Sequence, residues 1–133
     1  FIMLGYDGEE QSDLEQTVRV LERAAPDIFL TTVSYPIKDT GYFAAVQDKV
    51  VAHKSWDEGS DRDLSVAGRH SQRYYAHATR WMVGEVGWRS QIRKGGFAPG
   101  ARRQIVRQFA NAAWGRLGMW RSRDEREGAD ARG

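Results

Sequence analysis

Phe1-Ile2-Met3-Leu4-Gly5-Tyr6-Asp7-Gly8-Glu9-Glu10 opens the chain, and the reading of these ten residues decides the fold. Four consecutive large apolar residues closed by Gly5 and Gly8 suit a strand covered on both faces, as in a parallel sheet. The acids that follow suit a helix start, where the helix dipole favours negative charge. A strand entered at once, with Phe rather than Met as first residue, gives the expectation of the C-terminal piece of a longer protein.

Working outward, Ser12 with Glu15 three residues on reads as a capping box, and Leu14, Val18 and Leu21 form one apolar stripe. A helix is expected over about 12–25. Pro26 stops it, because it lacks an amide proton and pushes its predecessor out of helical geometry. Ile28-Phe29-Leu30-Thr31-Thr32-Val33-Ser34-Tyr35 is β-branched and aromatic, and reads as a second strand. Strand, helix and strand in this order predict a βαβ unit with parallel strands. A second helix starting near Thr40, with Phe43, Val46 and Val50 on one face, completes β-α-β-α over residues 1–52. The fold class expected is α/β: the C-terminal β-α-β-α part of a partial TIM-type barrel, followed by a helical C-terminal region.

Residues 53–68, with Trp56 among acids, show no period and read as a linker or ordered loop. From about Arg69 to Lys94 the pattern is helical: Tyr74, Trp81 and Trp88 lie seven apart, with Tyr75, Ala78, Met82 and Val86 beside them. Gly84 and Gly87 each weaken such a helix by about 1 kcal/mol relative to Ala, which reserves them for the close approach of another backbone. Gly95-Gly96 ends it. Pro99 suits the first turn of a last helix, running to about 121, in which Ile105, Phe109, Ala113, Leu117 and Trp120 form the expected core stripe. Residues 122–133 are charged and aperiodic, and read as a disordered tail.

The 133 residues suffice for one domain, and their 41% hydrophobic content is that of an ordinary globular chain. No apolar run approaches the roughly 20 residues of a spanning helix, and no leader resembles a signal peptide, so no membrane span and a cytoplasmic location are expected. The absence of cysteine excludes disulfides, thiolate-held clusters and thiol nucleophiles within this chain. The net charge of +2 hides a split: residues 1–68 hold 6 Lys/Arg and 13 Asp/Glu, and residues 69–133 hold 14 and 5. A change of domain or partner near Gly68-Arg69 is expected.

Gly5 to Gly8 lies between a strand and a helix, where ligands meet open α/β sheets and barrels. It lacks the third glycine of a dinucleotide fingerprint and the Gly-Lys-Ser/Thr of a phosphate loop. Two readings stay open, a ligand loop and a plain acid-rich helix start. His70 and His77 would lie about 10.5 Å apart along a helix, too far to share one metal. No Ser, His and Asp set is recognisable by spacing. Residues 69–123 hold 12 Lys/Arg against Glu85 alone, plus four of the five tryptophans. That composition fits either a nucleic-acid surface or a helical pair with aromatics in its core and arginines toward the acidic half. The tryptophans fall on the apolar stripes, so packing is favoured and nucleic acid is the disfavoured partner.

The opening resembles the fifth strand and turn of the radical S-adenosylmethionine barrel, where many members read Phe-Ile-x-Gly-x-Pro-Gly-Glu-Thr. Val33-Ser34-Tyr35-Pro36-Ile37-Lys38-Asp39-Thr40 before Tyr42 is similar to the sixth-strand ending Tyr-Pro-x-x-Gly-Thr-Pro-x-Tyr of the same enzymes. Asp7, Glu10, Asp39 and Gly41 depart from the usual Pro, Thr, Gly and Pro. Asp61-Arg62-Asp63-Leu64, the run Gly68 to Tyr75 and Arg80-Trp81-Met82 are similar to the helical C-terminal region of the cobalamin-binding subgroup, extending the resemblance over about residues 1–120.

The resemblance implies an enzyme that cleaves S-adenosylmethionine reductively with a 4Fe-4S cluster, giving a 5′-deoxyadenosyl radical that abstracts hydrogen from a small-molecule substrate. The cluster's three-cysteine loop and the cobalamin domain would both lie upstream of Phe1, so the partners are the upstream barrel half and that domain, and this piece alone would be inactive. By the same resemblance Met3, Leu4 and Gly5, with Tyr35 and Pro36, would line the S-adenosylmethionine site. Gly5 suits that place because it lets a backbone come close to a ligand. The alternative is a basic helical nucleic-acid-binding module. An open sheet edge at Phe1 to Leu4 is expected to favour association.

Overall fold

The computed structural model describes residues 1–54, 59–95 and 98–128, and its architecture is α/β. β1 (Ile2–Leu4) and β2 (Thr31–Val33) are parallel, with Ile2 opposite Thr31 and Leu4 opposite Val33. α1 (Gln11–Ala24) joins them, so the expected βαβ unit forms. Its stripe works as the periodicity requires: Leu14, Val18 and Leu21 are buried, and each such side chain contributes about 1.5–3 kcal/mol of transfer free energy. The cap differs from expectation. The Glu10 N–H donates to the Asp13 carboxylate at 2.8 Å, so the reciprocal pair starts two residues before Ser12, which lies exposed in the first turn. Ala25, at φ 48°, ends the helix just before Pro26.

β2 is shorter than the stretch 28–35, and Ile28 and Leu30 ahead of it are exposed to 82% and 62%. α2 (Gly41–Val46) begins at Thr40, whose hydroxyl accepts from the Phe43 N–H. It stops early. Val50, expected on its face, opens β3 (Val50–Ala52), which pairs antiparallel with β4 (Leu64–Val66). Residues 53–68 are therefore not linker or loop throughout: β4 is buried at every residue, and two of its three side chains are apolar. One strand of three residues is too short to show a period of two. Trp56 and its neighbours 55–58 lie outside the described residues.

α3 (Gln72–Arg93) starts at Ser71, which accepts from the Tyr74 N–H, so Arg69 and His70 stand before the helix instead of inside it. α4 (Pro99–Ser122) returns antiparallel to α3: Gly84 faces Ala112, Trp81 faces Gly115, and His77 faces Gly118. A Cβ on Gly84 would come within 2.6 Å of the Ala112 nitrogen, and one on Gly115 would collide with the Trp81 backbone. The close approach expected at Gly84 is present. A Cβ on Gly87 would instead stand 3.1 Å from the Gln108 side chain.

This small-residue seam turns α4 over relative to the sequence reading. Ala112, Gly115, Gly118, Met119 and Ser122 are buried, whereas Phe109, Leu117 and Trp120 are exposed to 57%, 41% and 60%. Leu117 and Trp120 of the stripe expected in the core thus face outward, because the backbone contact along the seam leaves them no room there. Phe109 lies at the seam's margin, with its ring edge to face against Trp88 at 5.8 Å. The core joins Leu4 and the α1 stripe to Tyr74, Tyr75, Ala78, Trp81, Met82 and Val86 of α3.

Part of the charge split is resolved inside the molecule. Arg116 pairs with Glu15 at 2.6 Å and Arg89 with Glu22 at 3.1 Å, tying the basic helices to acidic α1. The expected tail is ordered at its start. Glu127 accepts from Ser65 and from the Gln72 N–H, Glu125 pairs with Arg73, and His70 bridges to Arg126. Charge that has no helical period is here used for pairing. Residues 129–133 of that stretch lie outside the described residues.

Candidate functional site

The carboxyl ends of β1 and β2 lie side by side, and the chemistry gathers there. Leu4 points into the core at 1% exposure, so the next residue must turn the chain at once, and Gly5 does so at φ +81°. Only glycine takes that conformation without strain. There is a second reason for glycine: a Cβ would stand 3.1 Å from the phenol end of Tyr75 and 3.3 Å from Val33.

Arg69, 7% exposed, reaches this point from the loop before α3. Its Nη1 donates to the Gly5 carbonyl at 3.2 Å and also to the Ser34 carbonyl, so one guanidinium ties the two strand ends together. Its bonds go to carbonyl oxygens, not to a carboxylate, and it lies 6.0 Å from the centre of the Tyr75 ring. The Gly5 N–H donates to Glu9 Oε2 at 2.7 Å, closing the turn from the other side.

Three buried polar atoms around these strand ends have no partner among the described residues: Ser34 Oγ, Arg69 Nε and the Tyr75 hydroxyl. Each such atom carries a desolvation cost of roughly 1–3 kcal/mol that a bound polar group would relieve. Burial pushes the Tyr75 phenol well above its usual range, with the Glu9 charge adding to the shift and Arg69 opposing it. Tyr75 therefore stays protonated and able to donate. Burial also raises Glu9, opposed by the Gly5 N–H and assisted by Asp13. The set offers one fixed cation, one neutral phenol, one hydroxyl and one carboxyl that is held less ionised than usual.

The five residues proposed for the site divide by position. Gly5 and Pro36 are buried at the strand ends and Tyr35 is half-buried beside them. Leu4 gives only its backbone to this region, since its side chain belongs to the core, and Met3 is 39% exposed. Nearby, Asp7 pairs with Lys49 at 2.8 Å and Tyr6 meets Tyr42 edge to face at 5.2 Å, which secures the turn between Gly5 and Gly8. Arg69 and Tyr75 were not singled out as site residues from sequence. The available signal was a charged residue just ahead of the helix cap at Ser71, but nothing in the sequence says that it reaches back 64 positions.

A second cluster joins His53, Ser65 and Glu127. His53 Nε2 lies 2.7 Å from Ser65 Oγ, which donates to Glu127 Oε2 at 3.1 Å. Ser65 is fully buried and the same imidazole nitrogen faces both partners, so no substrate can reach the hydroxyl. The cluster fastens the 125–128 segment to the β3–β4 hairpin. His70 stacks on Tyr74 at 3.8 Å while His77 lies against Gly118. Among the described residues, no group of three or more His, Asp or Glu side chains is placed to hold a metal, and no helix is long and apolar enough to cross a membrane.

No protein-family model matches the chain, and comparisons with curated proteins and with solved structures give no match.

Proposed function

We propose that this chain supplies one wall of the barrel of a radical S-adenosylmethionine enzyme, of the cobalamin-dependent kind, whose cluster-binding cysteines lie upstream. One observation carries the reading: β1 and β2 are adjacent and parallel, in the register that sets Gly5 beside Ser34, Tyr35 and Pro36 at their carboxyl ends. That is the end at which barrels and open α/β sheets take ligands. The three unpartnered polar atoms there support it, because they fit a polar, multidentate ligand such as the adenosyl and amino-acid parts of S-adenosylmethionine.

In this reading the Gly5 and Ser34-Tyr35-Pro36 backbone approaches the ligand. Arg69 keeps the two strand ends at fixed spacing by holding both carbonyls. The Tyr75 phenol stays protonated and offers a donor, and Glu9 fixes the Gly5 turn by accepting its N–H. A 4Fe-4S cluster held by cysteines outside this chain would supply the electron for reductive cleavage of S-adenosylmethionine.

The test is anaerobic reconstitution of the full-length protein with iron and sulfide, followed by calorimetric titration with S-adenosylmethionine. Expected are the absorption and paramagnetic signals of a 4Fe-4S cluster, and binding weakened at least tenfold by Gly5→Val, as loss of a close backbone approach requires. No cluster signal, or no three-cysteine loop upstream, overturns the reading.

A further inference from the structure

The solvent face of α4 is independent of the strand-end site and carries its own signature. Val106, Trp114, Leu117 and Trp120 are exposed to 67%, 60%, 41% and 60% on the part of α4 turned away from the seam, and Phe109, 57% exposed, flanks them while meeting Trp88 of α3 edge to face at 5.8 Å. At about 100° per residue, Val106 and Leu117 fall at the centre of this face, with Trp120 and Trp114 near its two margins. Arg102, Arg103, Arg107 and Arg121 are exposed on the same half of the helix. None of the four is partnered among the described residues, in contrast to Arg116, which pairs with Glu15. Residues 99–122 contain no Asp or Glu.

We infer that α4 is a peripheral docking surface for an anionic lipid bilayer. Lying flat, its 24 residues reach about 36 Å along the surface. The aliphatic centre enters the acyl boundary, the two indoles sit at headgroup level, and the arginines extend to lipid phosphates. Charge complementarity selects an anionic occupant. The placement of the aromatics selects lipid among anionic ones: indoles about 120° apart round a helix do not form one stacking platform for bases, and Val106 and Leu117 would be pressed onto a phosphate backbone. A second copy meeting α4 face to face would bring arginine against arginine with no acid to compensate.

The experiment is co-sedimentation of the chain with vesicles of equal parts phosphatidylcholine and phosphatidylglycerol, against vesicles of phosphatidylcholine alone. Expected is partition into the anionic vesicles about tenfold stronger or more, weakening as salt rises. Trp114→Ser with Trp120→Ser should reduce it about tenfold and leave the circular dichroism unchanged, since both residues are exposed. Arg103→Gln with Arg107→Gln and Arg121→Gln should reduce it separately and flatten its salt dependence, which keeps the test decisive if the tryptophan variant fails to fold. The inference is overturned by no partition, by equal partition into both vesicles, by anionic partition untouched by either variant set, or by binding of single-stranded RNA without binding of vesicles. A lipid-free dimer dissolved by the tryptophan pair would also overturn it, assigning the face to a second copy.

Discussion

α1 and α4 each carry an apolar stripe at helical spacing, and only one of them is buried. In α1 the stripe of Leu14, Val18 and Leu21 enters the core. In α4 Leu117 and Trp120 of the stripe face out, Phe109 reaches only the margin of the seam at Trp88, and a strip of Ala112, Gly115, Gly118 and Ser122 lies against α3 instead. The difference teaches how two packing modes compete. Large side chains win where the neighbour offers a hollow, whereas small residues win where the neighbour also has a glycine, as Gly84 does, and the two backbones can touch. Contact between backbones multiplies dispersion and excludes bulky groups from the seam.

The most direct way to break this comparison is to put bulk into the seam. Gly115→Val places its side chain into the Trp81 backbone, so we expect a loss of about 4 kcal/mol or more, read as a collapse of the urea midpoint. A change below about 1 kcal/mol would mean that α4 does not seat on α3 through this face. The side-chain mode is tested by Leu14→Ala, expected to cost about 3 kcal/mol because the residue is 1% exposed within the main cluster.

Arg69→Met keeps the aliphatic stem but removes the tie between the two strand ends, at an expected cost of about 2 kcal/mol. Amide exchange should sharpen this, with the Ser34 N–H, bonded to Leu4, losing protection before the α3 amides do. On the outer stripe, Trp120→Ser should change stability by under about 0.5 kcal/mol in a thermal melt, as expected of an exposed residue outside the seam. A loss comparable to that of Leu14→Ala would show the stripe to be buried after all.

The smallest expected effect concerns pH. Burial, then the Arg126 charge, hold His70 below its ordinary value of 6.5. The folded value lies under the unfolded one, so its contribution is complete above about 6.5 and is lost as pH falls through the folded value. Melting temperature should fall on mild acidification, and His70→Phe should flatten that slope. Glu9 has the opposite sign. Its folded value lies above 4.5, so its contribution is present below that pH and lost as pH rises through the folded value. Glu9→Gln keeps an acceptor for the Gly5 N–H and should remove that loss at neutral pH.

Local chemistry made much of the fold legible. The run Phe1 to Leu4 with Gly5, the α1 stripe, Pro26, Thr40 and Pro99 each act on their own few residues, and each marks an element within a few positions of where it forms. β4 was not legible, because Leu64, Ser65 and Val66 span one repeat and a half of a strand. The ordered 125–128 segment was not legible either, because its bonds reach 52 to 62 residues back to Arg73, Ser71, Gln72 and Ser65. At the candidate site, sequence indicated the Gly5 to Gly8 turn through its position between strand and helix, and Met3, Leu4, Gly5, Tyr35 and Pro36 through resemblance alone, while the structure gives the Leu4 side chain to the core.

What the sequence determined by itself is the set of parts: a strand closed by glycine, an amphipathic helix, a second parallel strand, two long helices, and a division of charge. Those follow from periodicity, backbone sterics and capping, which are local. Only the tertiary structure decided which face of α4 is inside, that Arg69 spans from the α3 loop to the β1 and β2 carbonyls, and that Tyr75 covers Gly5. The physical reason is that a helix presents both of its faces to the chain in equal measure, and the choice between them depends on the shape of a neighbour that the local sequence does not contain.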